Sequence, residues 1–169
     1  MSRTKEIVYI GIMSALIIVA TFINIVIPFG QGGLVHLGTV VSVIAVLVFN
    51  TKIGMWSGAL GMTIFDIIGG WFVWAPATFI ARLGLGYILG KFAFAHHNKA
   101  NNWVMNTIGL ILGGIWMIAI YYFYEVLLYE NWIVPLGSIM ANVAQIGLAF
   151  IIGFPISYIL NKSVAKQIK

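Results

Sequence analysis

Cysteine is absent from this chain of 169 residues, and charge is scarce: only 8% of its residues are charged while 62% are hydrophobic. A water-facing surface uses about 25% charged residues, so this composition excludes a soluble domain. Without cysteine there is no disulfide, thiolate metal site or cysteine nucleophile. No HExxH, P-loop or pair of intramembrane aspartates occurs, so the chain carries no motif for metalloproteolysis or for hydrolysing ATP itself. Ser57, in Trp56-Ser57-Gly58, is a poor protease nucleophile: it falls near one end of its apolar run and His36 near the opposite end of another, beyond the reach a dyad needs. The net charge of +5 comes from short clusters beside the apolar runs, not from one basic face, and so implies anionic lipid headgroups, not nucleic acid. His96 and His97 form a weak metal signal in a polar loop. No metal or cofactor is implied.

What the chain has in abundance is long apolar runs. A spanning helix needs roughly 20 apolar residues, and six such stretches are present. They cover about Ile7–Ile27, Leu34–Phe49, Ile53–Ile68, Pro76–Phe94, Trp103–Leu128 and Pro135–Leu160. The first follows a basic start but precedes no small-residue cleavage site, which points to a retained helix. The breaks are short and hold turn residues, such as Pro28-Phe29-Gly30-Gln31-Gly32-Gly33 and Gly69-Gly70. The expected fold is an all-α membrane protein of six transmembrane helices in a single domain, residues 1–169.

Placing the cations orients it. If the spans alternate, Arg3, Lys5, Lys52, Lys91, Lys99, Lys162, Lys166 and Lys169 all fall on one side, and the opposite loops hold no Lys or Arg. The positive-inside rule then puts both termini in the cytoplasm of a multi-pass protein of the cell membrane. Only Arg82 lies inside a span, where a guanidinium is costly and marks a functional site by default.

The other intramembrane polar groups gather at the depth of Arg82. Asp66 closes span three, His36 and Thr39 open span two, and Glu125 ends span five beside Tyr121, Tyr122 and Tyr129. Asn24 is near the outer end of span one. Ser138, Asn142 and Gln145 recur at i, i+4, i+7 on span six, one stripe of a helix. A channel or proton relay requires polar groups through the whole thickness, whereas these stop about halfway, describing a cup open to the outside. Phe29, Trp71, Phe72, Trp74 and Trp132 in the outward loops could stack on a flat ligand, and Gly32-Gly33 and Gly69-Gly70 would let those loops close. Structural readings stand beside these: Asp66 and Arg82 as a mutual ion pair, His36 as an interfacial histidine bonded to a loop carbonyl, and Ser138, Asn142 and Gln145 as glue between helices.

Small residues four apart occur at Gly11/Ala15, Gly54/Gly58, Gly86/Gly90 and Gly109/Gly113. They permit close approach of helix backbones. The first pair lies in the cytoplasmic half of span one, where it would suit a partner helix.

With these residues in view, the chain resembles the substrate-binding S components of energy-coupling factor (ECF) vitamin transporters. The likeness runs through Lys5-Glu6-Ile7, Gly11-Ile12-Met13-Ser14-Ala15-Leu16, Phe65-Asp66-Ile67-Ile68-Gly69-Gly70 and Ala75-Pro76-Ala77-Thr78-Phe79-Ile80. It is strongest to the riboflavin-type branch, which includes relatives assigned to pyridoxine or hydroxymethylpyrimidine. The resemblance implies a non-catalytic subunit that captures a small aromatic vitamin from outside. It further implies docking through Gly11 and Ala15, with Gly11 where the family usually has Ala, on a transmembrane coupling subunit with two ATPase subunits, and tilting to deliver the vitamin inward. The substrate-binding residues would be His36, Thr39, Asp66, Trp74, Arg82, Tyr121, Glu125, Asn142 and Gln145. Two alternatives are a stand-alone proton-coupled secondary transporter, with Asp66 or Glu125 as its coupling carboxylate, and a scaffold without transport.

Overall fold

Three helices of this chain start where a polar side chain caps them. In the computed structural model, which describes residues 2–26, 34–95 and 100–167, α1 (Arg3–Phe22) begins at Ser2, whose hydroxyl accepts from the Lys5 amide. α3 (Thr51–Ile68) begins at Asn50, which accepts from Ile53 N, and α5 (Trp103–Tyr129) at Asn102, which accepts from the Val104 and Met105 amides. Each cap satisfies amides that the first helical turn leaves open. α4 (Ala75–Ala93) instead carries Pro76 in its first turn, where a missing N–H costs nothing.

Between α1 and α3 the structure departs from two full-length apolar helices. The first helix stops at Phe22, five residues before the expected boundary at Ile27. Asn24 Nδ2 donates back to the carbonyls of Thr21 and Phe22, satisfying acceptors that a continuing helix would otherwise use. The chain then forms β1 (Asn24–Val26), which pairs antiparallel with β2 (Leu34–His36), before α2 (Gly38–Val48). Span two therefore reads as strand followed by a helix of 11 residues, only about 16 Å long at 1.5 Å per residue. Apart from this two-stranded ribbon the regular structure among the described residues is helical. The loop Phe29–Gly33, with its aromatic and its glycines, and His96 and His97 lie outside the described residues.

Among the described residues four helical stretches are long and apolar enough to cross a membrane: Arg3–Phe22, Phe72–Ala93, Trp103–Tyr129 and Leu136–Ser163. The last is composite. α6 (Leu136–Leu148) passes through a π-helical turn (Ala149–Gly153) into α7 (Phe154–Gln167). Pro155 lies two residues past the end of that turn. A proline inside a helix has no N–H to donate and crowds the carbonyl four residues back, and a π turn accommodates both defects. The extra residue it holds resets the face of α6 relative to α7 by about 100°.

The helices alternate in direction, so the molecule has two distinct ends. One, here the cup end, carries β1, β2, the turn at Gly69–Gly70 and a 3-10 turn (Phe72–Trp74). The other, the basic end, carries Arg3, Lys5, Lys52, Lys91 and Lys162, and there Lys52 at the start of α3 donates to Glu6 in the first turn of α1. Toward the basic end the helices are held by close backbone approach. A Cβ on Gly86 of α4 would fall 2.6 Å from Met55 Cα of α3, and one on Gly109 of α5 would fall 2.8 Å from Phe92 Cβ of α4. Around these seams Val43, Val46, Leu47, Leu85, Leu89, Leu110, Met117 and Phe154 form the apolar core.

Candidate functional site

Helical spacing brings the polar residues of the cup end into register. Thr78 and Arg82 are four apart on α4. Tyr121, Glu125 and Tyr129 recur every four residues on α5. Ser138, Asn142 and Gln145 lie on one stripe of α6. All of them line a single cavity of about 250 Å³, together with Leu34 and His36 of β2, Asp66 of α3, Trp71 and Trp74 of the turn that follows, and Ala141. β2 brings exposed backbone to the cavity wall, the one place where non-helical backbone is tolerated at membrane depth. Gln145 Nε2 donates to the Leu34 carbonyl at 2.6 Å and Leu37 N to the Ile23 carbonyl, so this irregular segment is held.

Arg82 is the centre of the arrangement. It is 2% exposed, and its Nη1 donates to Thr39 Oγ1 at 2.8 Å while Nη2 donates to Gln145 Oε1 at 2.9 Å. Thr39 in turn donates to the same Gln145 oxygen, closing a ring of three buried side chains from α2, α4 and α6. The guanidinium carbon also sits 5.8 Å from the centre of the Tyr121 ring, within cation–π range. Tyr121 is fixed by a 2.9 Å hydrogen bond between its hydroxyl and that of Thr78. Trp74 leans against the rings of Tyr124 and Tyr129, at 6.1 and 6.3 Å between centres.

Other polar atoms at the cavity are left without partners. Among the described residues His36 Nδ1, Asp66 Oδ2, Arg82 Nε and Glu125 Oε2 are buried and make no hydrogen bond. A buried unsatisfied polar atom is expensive, by about 1–3 kcal/mol, and four of them around one cavity indicate a place built for something that completes them.

Eight of the nine residues expected at the site from sequence therefore face one cavity: His36, Asp66, Trp74, Arg82, Tyr121, Glu125, Asn142 and Gln145. Thr39 is fully buried behind the wall, where it braces Arg82. The notion that Asp66 and Arg82 form a direct ion pair fails: the salt bridge found among the described residues is Lys52–Glu6, and Arg82 is bonded to neutral partners instead. Asn24 does not line the cavity, and its amide serves the end of α1. Trp132 is exposed, and its carbonyl accepts from the Tyr122 hydroxyl.

The family model described as "ECF-type riboflavin transporter, S component" matches residues 1–162. The chain belongs to that family. Its fold agrees: the S component of a bacterial ECF transporter superposes with a TM-score of 0.74 at 21% identity, covering 99% of each chain. A Pyrococcus woesei protein known as a product of a gap 3′ region is 28% identical over 153 residues, 89% of this chain and 97% of its own length. The family is that of a transporter's substrate-binding component, which is not a catalytic enzyme.

In this S component the four small-residue pairs have two different environments. Cβ atoms added at Gly54, Gly58, Gly86, Gly90, Gly109 or Gly113 would strike neighbouring helices, whereas one at Gly11 would meet nothing within 4 Å. Gly11 and Ala15 are exposed, on a face shared with Ile7, Val8, Ile12, Leu16 and Val19. The pair on α1 is thus the one whose groove the fold itself leaves open. Sequence reasoning missed Thr78 as a site residue and did not commit Trp71, Tyr129, Ser138 and Leu34 to the site. Thr78 stands four residues from Arg82, and Tyr129 four from Glu125, so helical register could have found both.

Proposed function

We propose that this S component spans the plasma membrane six times with both termini in the cytoplasm, and that its cavity captures a small aromatic vitamin from outside. The observation that carries this reading is the 250 Å³ cavity ringed by unpartnered polar atoms and aromatic rings. Asp66 and the Nε of Arg82 would fix polar edges of the ligand, Trp74 and Tyr121 would stack on its ring, and His36, Glu125 and Asn142 would complete its hydrogen bonds. Gln145 and Thr39 serve by holding Arg82. Drug-sized ligand pockets measure about 300–1,000 Å³, so this smaller volume favours one ring over three fused rings with a side chain. A pyridoxine- or hydroxymethylpyrimidine-like compound fits that size. The family description favours a second reading, riboflavin.

For transport, the exposed Gly11/Ala15 face of α1 would dock on a transmembrane coupling subunit carrying two ATPase subunits, and the S component would tilt there to release its cargo inward. The apolar basic-end half suits such sliding through lipid. Titration of the purified protein in nanodiscs with pyridoxine, hydroxymethylpyrimidine and riboflavin tests the reading. Submicromolar binding of one of them supports it. No binding across the panel, and no small molecule in native mass spectra of the freshly solubilised protein, would sink it. A proton-coupled transporter acting alone predicts uptake into vesicles lacking ATPases that collapses with the proton gradient. The open α1 face argues against that alternative.

A further inference from the structure

One side chain at the cup has no freedom left in how its amide lies. Gln145 is 3% exposed, and both ends of the amide are committed. Its Oε1 accepts from Thr39 Oγ1 and from Arg82 Nη2, while its Nε2 donates to the Leu34 carbonyl. A guanidinium only donates and a peptide carbonyl only accepts, so turning the amide over would set like against like at both ends. The amide is also planar, and fixing Oε1 therefore aims Nε2. Three elements meet on this one group: α2 through Thr39, α4 through Arg82 and β2 through Leu34.

The ribbon has few other ties. β1 and β2 are three residues each and pair only with one another among the described residues, and a lone two-stranded ribbon is marginal in stability. Their remaining backbone and side-chain bonds run to the end of α1. Among the described residues, the bond from Gln145 to Leu34 is the one hydrogen bond that either strand makes to α3, α4, α5 or α6. Yet β2 supplies Leu34 and His36 to the cavity wall. The place of that wall thus depends on the amide that also holds Arg82.

Building on the vitamin-binding reading, we propose that Gln145 is a positioning residue that couples the wall strand β2 to the Arg82 guanidinium. A ligand bonded to Arg82 restrains the guanidinium, and through Oε1 and Nε2 it steadies β2. By reciprocity, a loosened β2 weakens the hold of Arg82 on the ligand. Gln145→Glu separates the two duties. The carboxylate still accepts from Thr39 and Arg82, but its second oxygen faces the Leu34 carbonyl, acceptor against acceptor.

The test is hydrogen–deuterium exchange of the full-length protein in nanodiscs, read by mass spectrometry on peptides covering β1 and β2. The probe is whichever of pyridoxine, hydroxymethylpyrimidine and riboflavin binds the unaltered protein, added at saturation. In the unaltered protein the probe should slow exchange of the ribbon severalfold. In Gln145→Glu the ribbon should exchange faster, saturating probe should no longer slow it, and the dissociation rate should rise by about threefold to tenfold, the usual net worth of one hydrogen bond. A Gln145 that merely braces the wall would raise exchange in the variant and leave the dissociation rate and the protection by probe unchanged, which overturns the inference. Arg82→Met supplies the second arm, and decides the matter should Gln145→Glu fail to fold. At saturating probe its ribbon should remain unprotected; protection equal to that of the unaltered protein would show that the ligand steadies β2 by direct contact, and overturns the coupling while vitamin binding stands. If none of the three compounds binds the unaltered protein, both readings fall together.

Discussion

The two halves of this molecule use the same helices for opposite ends. Toward the basic end, α3, α4 and α5 meet through glycines with no room for a methyl group, and Ser57 there donates to the Gly54 carbonyl, although Ser42 Oγ and Asn106 Oδ1 are buried without a partner among the described residues. Toward the cup end the same three helices line a cavity together with α6 and β2 and leave Asp66, Glu125 and Arg82 partly unsatisfied. A bundle in lipid cannot rely on hydrophobic burial to hold its helices together, so close packing and satisfied hydrogen bonds must do it. The comparison teaches that stability is concentrated in one half, which allows the other to carry unfilled polar atoms. Substitutions should divide along the same line: in the closed half they act on folding, and in the open half on binding.

The largest effect is expected at Gly86. A leucine there would drive its side chain into the Met55 backbone, which cannot swing aside as a side chain can. Overpacking a filled site costs about 1–3 kcal/mol or more, and Gly86→Leu should yield aggregated or unfolded protein in thermal melts of detergent samples. A Gly86→Leu protein melting within a few degrees of the parent would break the division.

Arg82→Met comes next and should leave the fold intact. Methionine fills similar volume, while Thr39 and Gln145 can still bond each other after the guanidinium is gone. Losing a buried, hydrogen-bonded charge from a binding site costs about 2–5 kcal/mol of affinity, or roughly thirtyfold to several-thousandfold in Kd. Equilibrium dialysis with the best ligand of the vitamin panel measures it. Unchanged affinity would show that Arg82 is a structural member of the three-residue ring and nothing more.

Trp74→Ala should do less. Its ring lines the cavity but is also supported by Tyr124 and Tyr129, and the neighbouring Trp71 lines the same wall. Loss of one aromatic stacking partner is worth about 0.5–1.5 kcal/mol, so affinity should drop by about threefold to tenfold. Ligand-dependent quenching of tryptophan fluorescence should weaken in parallel. Quenching that persists unchanged would place the ligand away from this wall.

These effects separate what the chain displays in its residues from what only folding reveals. The long helices α4, α5 and α6 followed from apolar run length, and the site residues on them from four-residue spacing. The outer ends of spans one and two did not. Hydropathy reports that a segment suits lipid, not which backbone it adopts, and Asn24–Val26 and Leu34–His36 satisfy their backbone by pairing with each other instead of coiling. The π turn was equally hidden from a 3.6-residue period, although Pro155 in the middle of an apolar run was its warning. The partners of Arg82 were also out of reach. Asp66 was the nearest acid in sequence, yet the guanidinium is held by Thr39 and Gln145, 43 and 63 residues away, and such separations become contacts only through the packing of α2 and α6 against α4.

The smallest effect on both fold and ligand is expected at Gly11, and that is its value. A Cβ there meets nothing within 4 Å, and the residue lies on the exposed face of α1, remote from the cavity lining. Gly11→Leu should therefore melt like the parent and bind ligand with unchanged Kd, while Gly54→Leu, aimed at Val46, should not fold. If the open groove is where a coupling subunit's helix rests, the leucine fills the space that small residues leave for close approach. ATP-driven uptake in cells supplying the coupling module should then fall by tenfold or more with ligand capture intact. Uptake equal to that of the parent would move the docking surface elsewhere on the molecule. Reduced ligand affinity would mean that α1 reaches the cup by a route the contacts of its Gly11 face do not suggest.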